Sequence, residues 1–132
     1  MRKVLLDMNA YTKYLLDDET ILRALSQTDI VYMSVFVIAE LYFGFKGGSK
    51  ELKNKELLKQ FLNKPSVEII DATVDTSDIF AGIKYKLKKS GTPIPLNDVW
   101  IGAHTIETGA ILITYDRHFE KIAGLRLWDY VK

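Results

Sequence analysis

The sequence predicts an α/β domain with a central, mostly parallel sheet of about five strands and helices on both faces. Three observations carry this reading. Short apolar runs at residues 2–6, 30–33, 67–70, 111–114 and 125–127 alternate with longer stretches of helical periodicity, which is the pattern of repeated βαβ units. Val4-Leu5-Leu6 and Ile111-Leu112-Ile113 are continuously apolar, as in strands covered on both faces. The 132 residues contain no internal repeat, low-complexity tract or linker, so one domain is expected.

The elements follow in order. The strand at 2–6 leads into a short helix at 9–16, with Asn9 as its N-cap, and Asp17-Asp18 breaks that helix. A second short helix at 19–26 places Ile21, Leu22 and Leu25 on one face. After the strand at 30–33, Ser34 caps a helix at 35–46. Its stripe of Val37, Ile38, Leu41 and Phe45 is interrupted by Glu40, and Gly47-Gly48 ends it. A lysine-rich amphipathic helix spans 49–62, with Leu52, Leu57, Leu58, Phe61 and Leu62 on its core face, and Pro65 closes the segment. The strand at 67–70 precedes a helix at 74–89 with Ile79, Ile83 and Leu87 on one side and a basic end. The prolines of the 90–95 loop hold it extended. Asn97 or a neighbour starts a helix to 108, and Gly109 stops it. The strand at 111–114, a turn or short helix at 116–121 and a last strand at 125–127 complete the chain.

Composition excludes several classes. With no cysteine, disulfides, thiol chemistry and zinc ribbons are ruled out. No apolar run approaches the length of a membrane span, and the N-terminal stretch reads as strand with no long apolar signal region. A cytoplasmic location is expected. The net charge of +1 says nothing for or against nucleic acid, because basic residues can still be segregated on one face.

Four carboxylates stand out by position: Asp7, Glu40, Asp98 and Asp116. Asp7 and Asp116 each follow an apolar strand, at the sheet edge where open α/β folds bind ligands. Asp98 begins a helix near the same edge if the crossovers are right-handed. Glu40 is a charge inside an apolar stripe, which requires a cation or hydrogen-bond partner. Each has an ordinary explanation when taken singly: a turn residue, a cap, a charge at a helix start, or a solvent-facing glutamate. Together they suit a hard divalent cation, Mg2+ or Mn2+, held by oxygen ligands. Such an ion lowers the pKa of water and stabilises charge on a phosphoryl oxygen.

At these residues the chain resembles the PIN-domain ribonucleases, and specifically the VapC toxins of toxin–antitoxin pairs. The resemblance runs over essentially the whole chain. It rests on LLDMN at the start, SVFVIAELYFG in the middle and PLNDVWIGAHTIETGAILITYDRHFEKIAGLRL at the end. It implies a single PIN-like domain over residues 1–132, with Asp7, Glu40, Asp98 and Asp116 as metal-binding and catalytic acids and Asn9 and Thr114 as supporting polar residues. It implies an endoribonuclease that hydrolyses RNA phosphodiester bonds with metal-activated water, with transfer or ribosomal RNA as substrate. A homodimer and a cognate antitoxin protein are the implied protein partners; the helices of 9–26 and 35–62, whose apolar side chains exceed what one layer of core needs, are the expected docking groove.

Two departures bear on this. Met8 stands where the family usually has Thr or Ser, which removes a hydroxyl that could support the first Asp. Gly102 stands where Ala is more usual, and is expected to open space beside Asp98. His104 and His118 are expected in structural or surface roles, and Trp100, Tyr42 and Phe45 in the core or at a dimer contact. The alternative to an active nuclease is a catalytically impaired PIN-like module that binds RNA or a partner, with Met8 as its mark. A phosphotransferase using Asp7 as nucleophile is disfavoured, because the second acid such enzymes need two residues later is Asn9 here.

Overall fold

The structure is a computed structural model and describes residues 1–129. Its elements are β1 (Lys3–Leu6), α1 (Met8–Leu15), α2 (Glu19–Ser26), β2 (Ile30–Ser34), α3 (Val35–Lys46), α4 (Glu51–Leu62), β3 (Val67–Ile70), α5 (Val74–Ser90), α6 (Leu96–Thr108) and β4 (Ile111–Ile113). A 3-10 turn follows at Arg117–Lys121. The sheet order is β3-β2-β1-β4, and every pairing is parallel. Register places Leu5 opposite Tyr32 on one side and Leu112 on the other.

This order explains where a site can form. The chain builds β1, β2 and β3 outward in one direction, then returns to lay β4 on the other side of β1. Right-handed crossovers in opposite directions put α1–α4 on one face of the sheet and α5–α6 on the other. The carboxyl ends of β1 and β4 flank the point where the order reverses, which in such sheets is the binding crevice. Buried on both faces, Val4, Leu5 and Leu6 are almost wholly inaccessible, as are Leu112 and Ile113. Met33, Val37, Ile101 and Phe119 complete the core around them.

The sheet has four strands among the described residues, not about five. The apolar 125–127 segment makes only one parallel bridge, Leu127 to Leu112. Leu112 N–H donates to the Arg126 carbonyl and Trp128 N–H donates to the Leu112 carbonyl, so one residue of β4 uses both its backbone groups and the ladder goes no further. Gly124, at φ +81°, turns the chain into this strap. The first helix also starts one residue before its expected start, because its N-cap is Asp7 and not Asn9.

Candidate active site

Asp7 follows β1 directly and caps α1: its Oδ1 accepts from Ala10 N–H at 2.9 Å. Its Oδ2 accepts from the Thr114 hydroxyl at 2.5 Å. With only 6% of its surface exposed, Asp7 is fixed from both sides. Burial raises its pKa, against the two hydrogen bonds, and the charges of Asp116 and Asp98 raise it further. Thr114, one residue past β4, is the hub of this arrangement. Its Oγ also accepts from Asp116 N–H at 2.9 Å, while Trp128 Nε1 donates to its carbonyl at 2.6 Å.

Asp116 caps the 3-10 turn by accepting from His118 N–H at 2.9 Å. Its ordinary role as a cap and its place in the cluster therefore coincide, as they do for Asp7. Capping aims each carboxylate. Asp98, in the first turn of α6, makes no cap bond, so the helix start does not account for its orientation. Burial and then the neighbouring Asp116 push its pKa up, while a hydrogen bond from His118 pulls the other way. Glu40 is half-buried on α3. Burial raises its pKa first, then Asp98, with Asp7 and Asp116 adding to the shift and a hydrogen bond from Asn97 opposing it. Asn97 also reaches the Phe36 carbonyl at 3.4 Å, tying the start of α6 to α3.

Asp7, Glu40 and Asp98 thus each feel the charge of other members of the set, which come from four separate segments. No Lys or Arg among the described residues lies within ion-pair distance of any of them. A knot of like charges without a counter-cation is the donor chemistry that a divalent ion satisfies. Of the two supporting residues, Thr114 touches the acids directly. Asn9 is exposed in the first turn of α1, and no hydrogen bond joins its side chain to them.

Three expectations need correction or sharpening. The missing hydroxyl at Met8 does not leave Asp7 short of a partner, because Thr114 supplies the hydroxyl and Ala10 the second donor. The space beside Gly102 is filled: a Cβ there would lie 2.7 Å from Ile122 Cδ1. His118 is not a bystander, since its Nδ1 sits 3.1 Å from Asp116 Oδ1 and 3.3 Å from Asp98 Oδ2. The signal in the sequence was its place two residues after Asp116, inside a turn that folds back on the acid. His104 behaves as expected. Fully buried, it links Ser34 Oγ (2.8 Å) to the Asp71 carbonyl (3.1 Å). A carbonyl only accepts, so Nε2 carries the proton and Nδ1 accepts from Ser34. Trp100 lies in a partly buried stack between Phe36 and Phe80, at centroid distances of 4.9 and 3.9 Å.

Comparison with known proteins agrees with this geometry. A family profile described as "PIN domain" matches residues 4–125. Ribonuclease VapC2 of Rickettsia felis is 31% identical over 111 residues, covering 82% of this chain and 81% of its own. The chain belongs to the PIN-domain family, in its VapC branch. A second relative of this PIN domain, ribonuclease VapC2 of Haemophilus influenzae, is 28% identical over 132 residues, covering 90% of this chain and 98% of its own. Among solved structures, VapBC2 from Rickettsia felis bound to a DNA fragment from their promoter superposes with a TM-score of 0.83. It is 27% identical and covers 96% of this chain and 99% of its own.

Proposed function

We propose that this PIN domain is a metal-dependent endoribonuclease and the toxin of a type II toxin–antitoxin pair. One observation carries the reading: four acids from four segments, three with pKa values raised by burial and mutual repulsion, gather at the switch point of a parallel sheet with no Lys or Arg partner among the described residues. The relatives named as VapC ribonucleases and the neighbour solved as a VapBC complex support it.

Asp98 and Asp116, whose carboxylate oxygens both approach His118, would hold a Mg2+ or Mn2+ ion, with Asp7 and Glu40 completing its negative surroundings. Once bound, such an ion lowers the pKa of water and stabilises charge on a phosphoryl oxygen. The chain's own contribution is preorganisation. Asp7 is immobilised by Ala10 and Thr114, and Asp116 by its own cap, so neither carboxylate has to be ordered when substrate arrives. Glu40 is held beside Asn97 on a helix tied to α6, which fixes the opposite wall. An antitoxin would cover apolar side chains that the fold leaves in water, foremost Phe43 on α3 and Leu52 on α4, each more than four-fifths exposed. With the Asp7 hydroxyl partner present, the impaired-module alternative loses the observation on which it stood.

The test is incubation of purified, partner-free protein with total RNA and Mg2+ or Mn2+, beside a chelator control and Asp98→Asn, with RNA ends mapped. Discrete cuts that disappear in both controls are expected. Folded protein that cuts nothing with either metal, or cuts equally with chelator, refutes the reading.

A further inference from the structure

His118 occupies a position that an all-carboxylate site does not explain. The Asp116 cap bends the chain so that the imidazole returns over the acids. One donor atom each from Asp98, Asp116 and His118 lies within 4.8 Å of the other two. The two contacts of Nδ1, at 3.1 and 3.3 Å, are longer than the ~2.7–2.9 Å of a charge-assisted N–H to carboxylate bond. Neighbouring ligands around an ion with bonds of roughly 2.1 Å stand about 3.0 Å apart, which is close to the two distances from His118 Nδ1 to the carboxylates. The His118 side chain is 47% exposed, against 35% for Asp116 and 13% for Asp98, so the three form an open rim with the imidazole outermost.

We propose that His118 is a nitrogen ligand of the divalent ion held at Asp98 and Asp116, and that it biases the site toward first-row transition ions over Mg2+. The inference rests on the metal-centre reading above and extends it. Carboxylates alone do little to distinguish Mg2+ from Mn2+. An imidazole nitrogen adds a softer donor, which favours Mn2+ and the later first-row ions. For Nδ1 to bind, the ring proton must sit on Nε2, the other ring nitrogen of this half-exposed side chain.

The experiment measures ion binding to the intact protein without RNA. Mn2+ is titrated by loss of its free-ion paramagnetic resonance signal, Mg2+ by competition, and the bound Mn2+ is examined by pulsed resonance for coupling to 14N. Wild type is compared with His118→Ala, His118→Asp and Asp98→Asn. The chain has two histidines, and His104 is buried between Ser34 and Asp71, so a 14N coupling of imidazole type reports His118. The expected result is a coupling in wild type that both His118 variants lose. His118→Ala should weaken Mn2+ binding by at least about tenfold and Mg2+ by much less, and His118→Asp should keep binding but narrow the Mn2+ preference. Bound Mn2+ without 14N coupling, or an unchanged Mn2+ to Mg2+ ratio in His118→Ala, overturns the proposal. Failure to bind Mn2+, or binding that Asp98→Asn leaves intact, overturns both this proposal and the metal centre. Mn2+ binding with 14N coupling but no RNA cleavage would sink the nuclease and leave the ligand assignment standing.

Discussion

Replacing Thr114 with valine is the most informative single change outside the acids. The two side chains have the same shape, and Thr114 is fully buried, so packing is retained and only the hydroxyl is lost. That hydroxyl donates to a carboxylate, a class of bond worth about 1.5–3 kcal/mol net. It also accepts from the part-buried Asp116 N–H, whose orphaning costs on the order of 1 kcal/mol. The sum is about 3 kcal/mol, a large share of the 5–15 kcal/mol typical of a domain. A second effect is electrostatic. The Thr114 bond holds the Asp7 pKa down against burial, so its loss raises that pKa further. Protons then compete better with metal, and Mn2+ affinity should fall more at pH 6 than at pH 8. Urea denaturation of metal-free protein measures the first effect as a midpoint drop of about 1–2 M at unchanged slope, and metal titration at the two pH values measures the second. Thr114→Ser, which keeps the hydroxyl, should recover most of both. A valine variant within about 0.5 kcal/mol of wild type, with the same pH dependence of metal binding, would refute the assignment of Thr114 as the hub.

Three further predictions test the scaffold. The Tyr11 hydroxyl is buried without a partner among the described residues, and burial pushes its pKa up to about 12; Tyr11→Phe should stabilise the protein by roughly 1 kcal/mol in urea denaturation. His104 is held neutral by burial, so below about pH 6.5 the unfolded chain takes up a proton that the folded one refuses. Stability should therefore fall as pH drops from that point through the lower folded-state value, and His104→Gln should flatten the denaturation midpoint against pH in that window. Gly102→Ala alone gains helix propensity but meets Ile122 Cδ1, whereas Gly102→Ala with Ile122→Val removes that atom; the double variant should be more stable than the sum of the single effects, as read by a double-mutant cycle.

The strands and the acids were legible in the sequence because both depend on local pattern. A run such as Val4-Leu5-Leu6 must be covered on both faces wherever it sits, and Asp7 at its end must then lie at the sheet edge. Asp98, Asp116 and Glu40 followed from the same kind of argument. What escaped depended on partners distant in the chain or on a turn's backbone path. Nothing near Gly102 reveals that Ile122 fills the space over it. The apolar run at 125–127 looks like a strand, but its extent is set by how many backbone groups β4 has left to offer. His118 reaches Asp98 across 20 positions because Asp116 caps its own turn, and periodicity carries no trace of that. The Ser34–His104 link, which joins the start of α3 to α6, spans 70 positions and was equally hidden.

The placement of β1 between β2 and β4 also sets the order in which the site comes into being. Asp7 is made well before its partner Thr114, which lies 107 positions later. Until then the first strand has a neighbour on one side only, and the edge that gathers the acids is half made. Glu40 is synthesised early as well, while Asp98 and Asp116 come in the last third of the chain. On the nuclease reading proposed above, the sequence order of the strands delays assembly of the acid cluster until Asp98, Thr114 and Asp116 have been made. A circular permutant whose chain began at α5 would bring Asp98 and Asp116 out first and Asp7 soon afterwards, and would lose much of that delay.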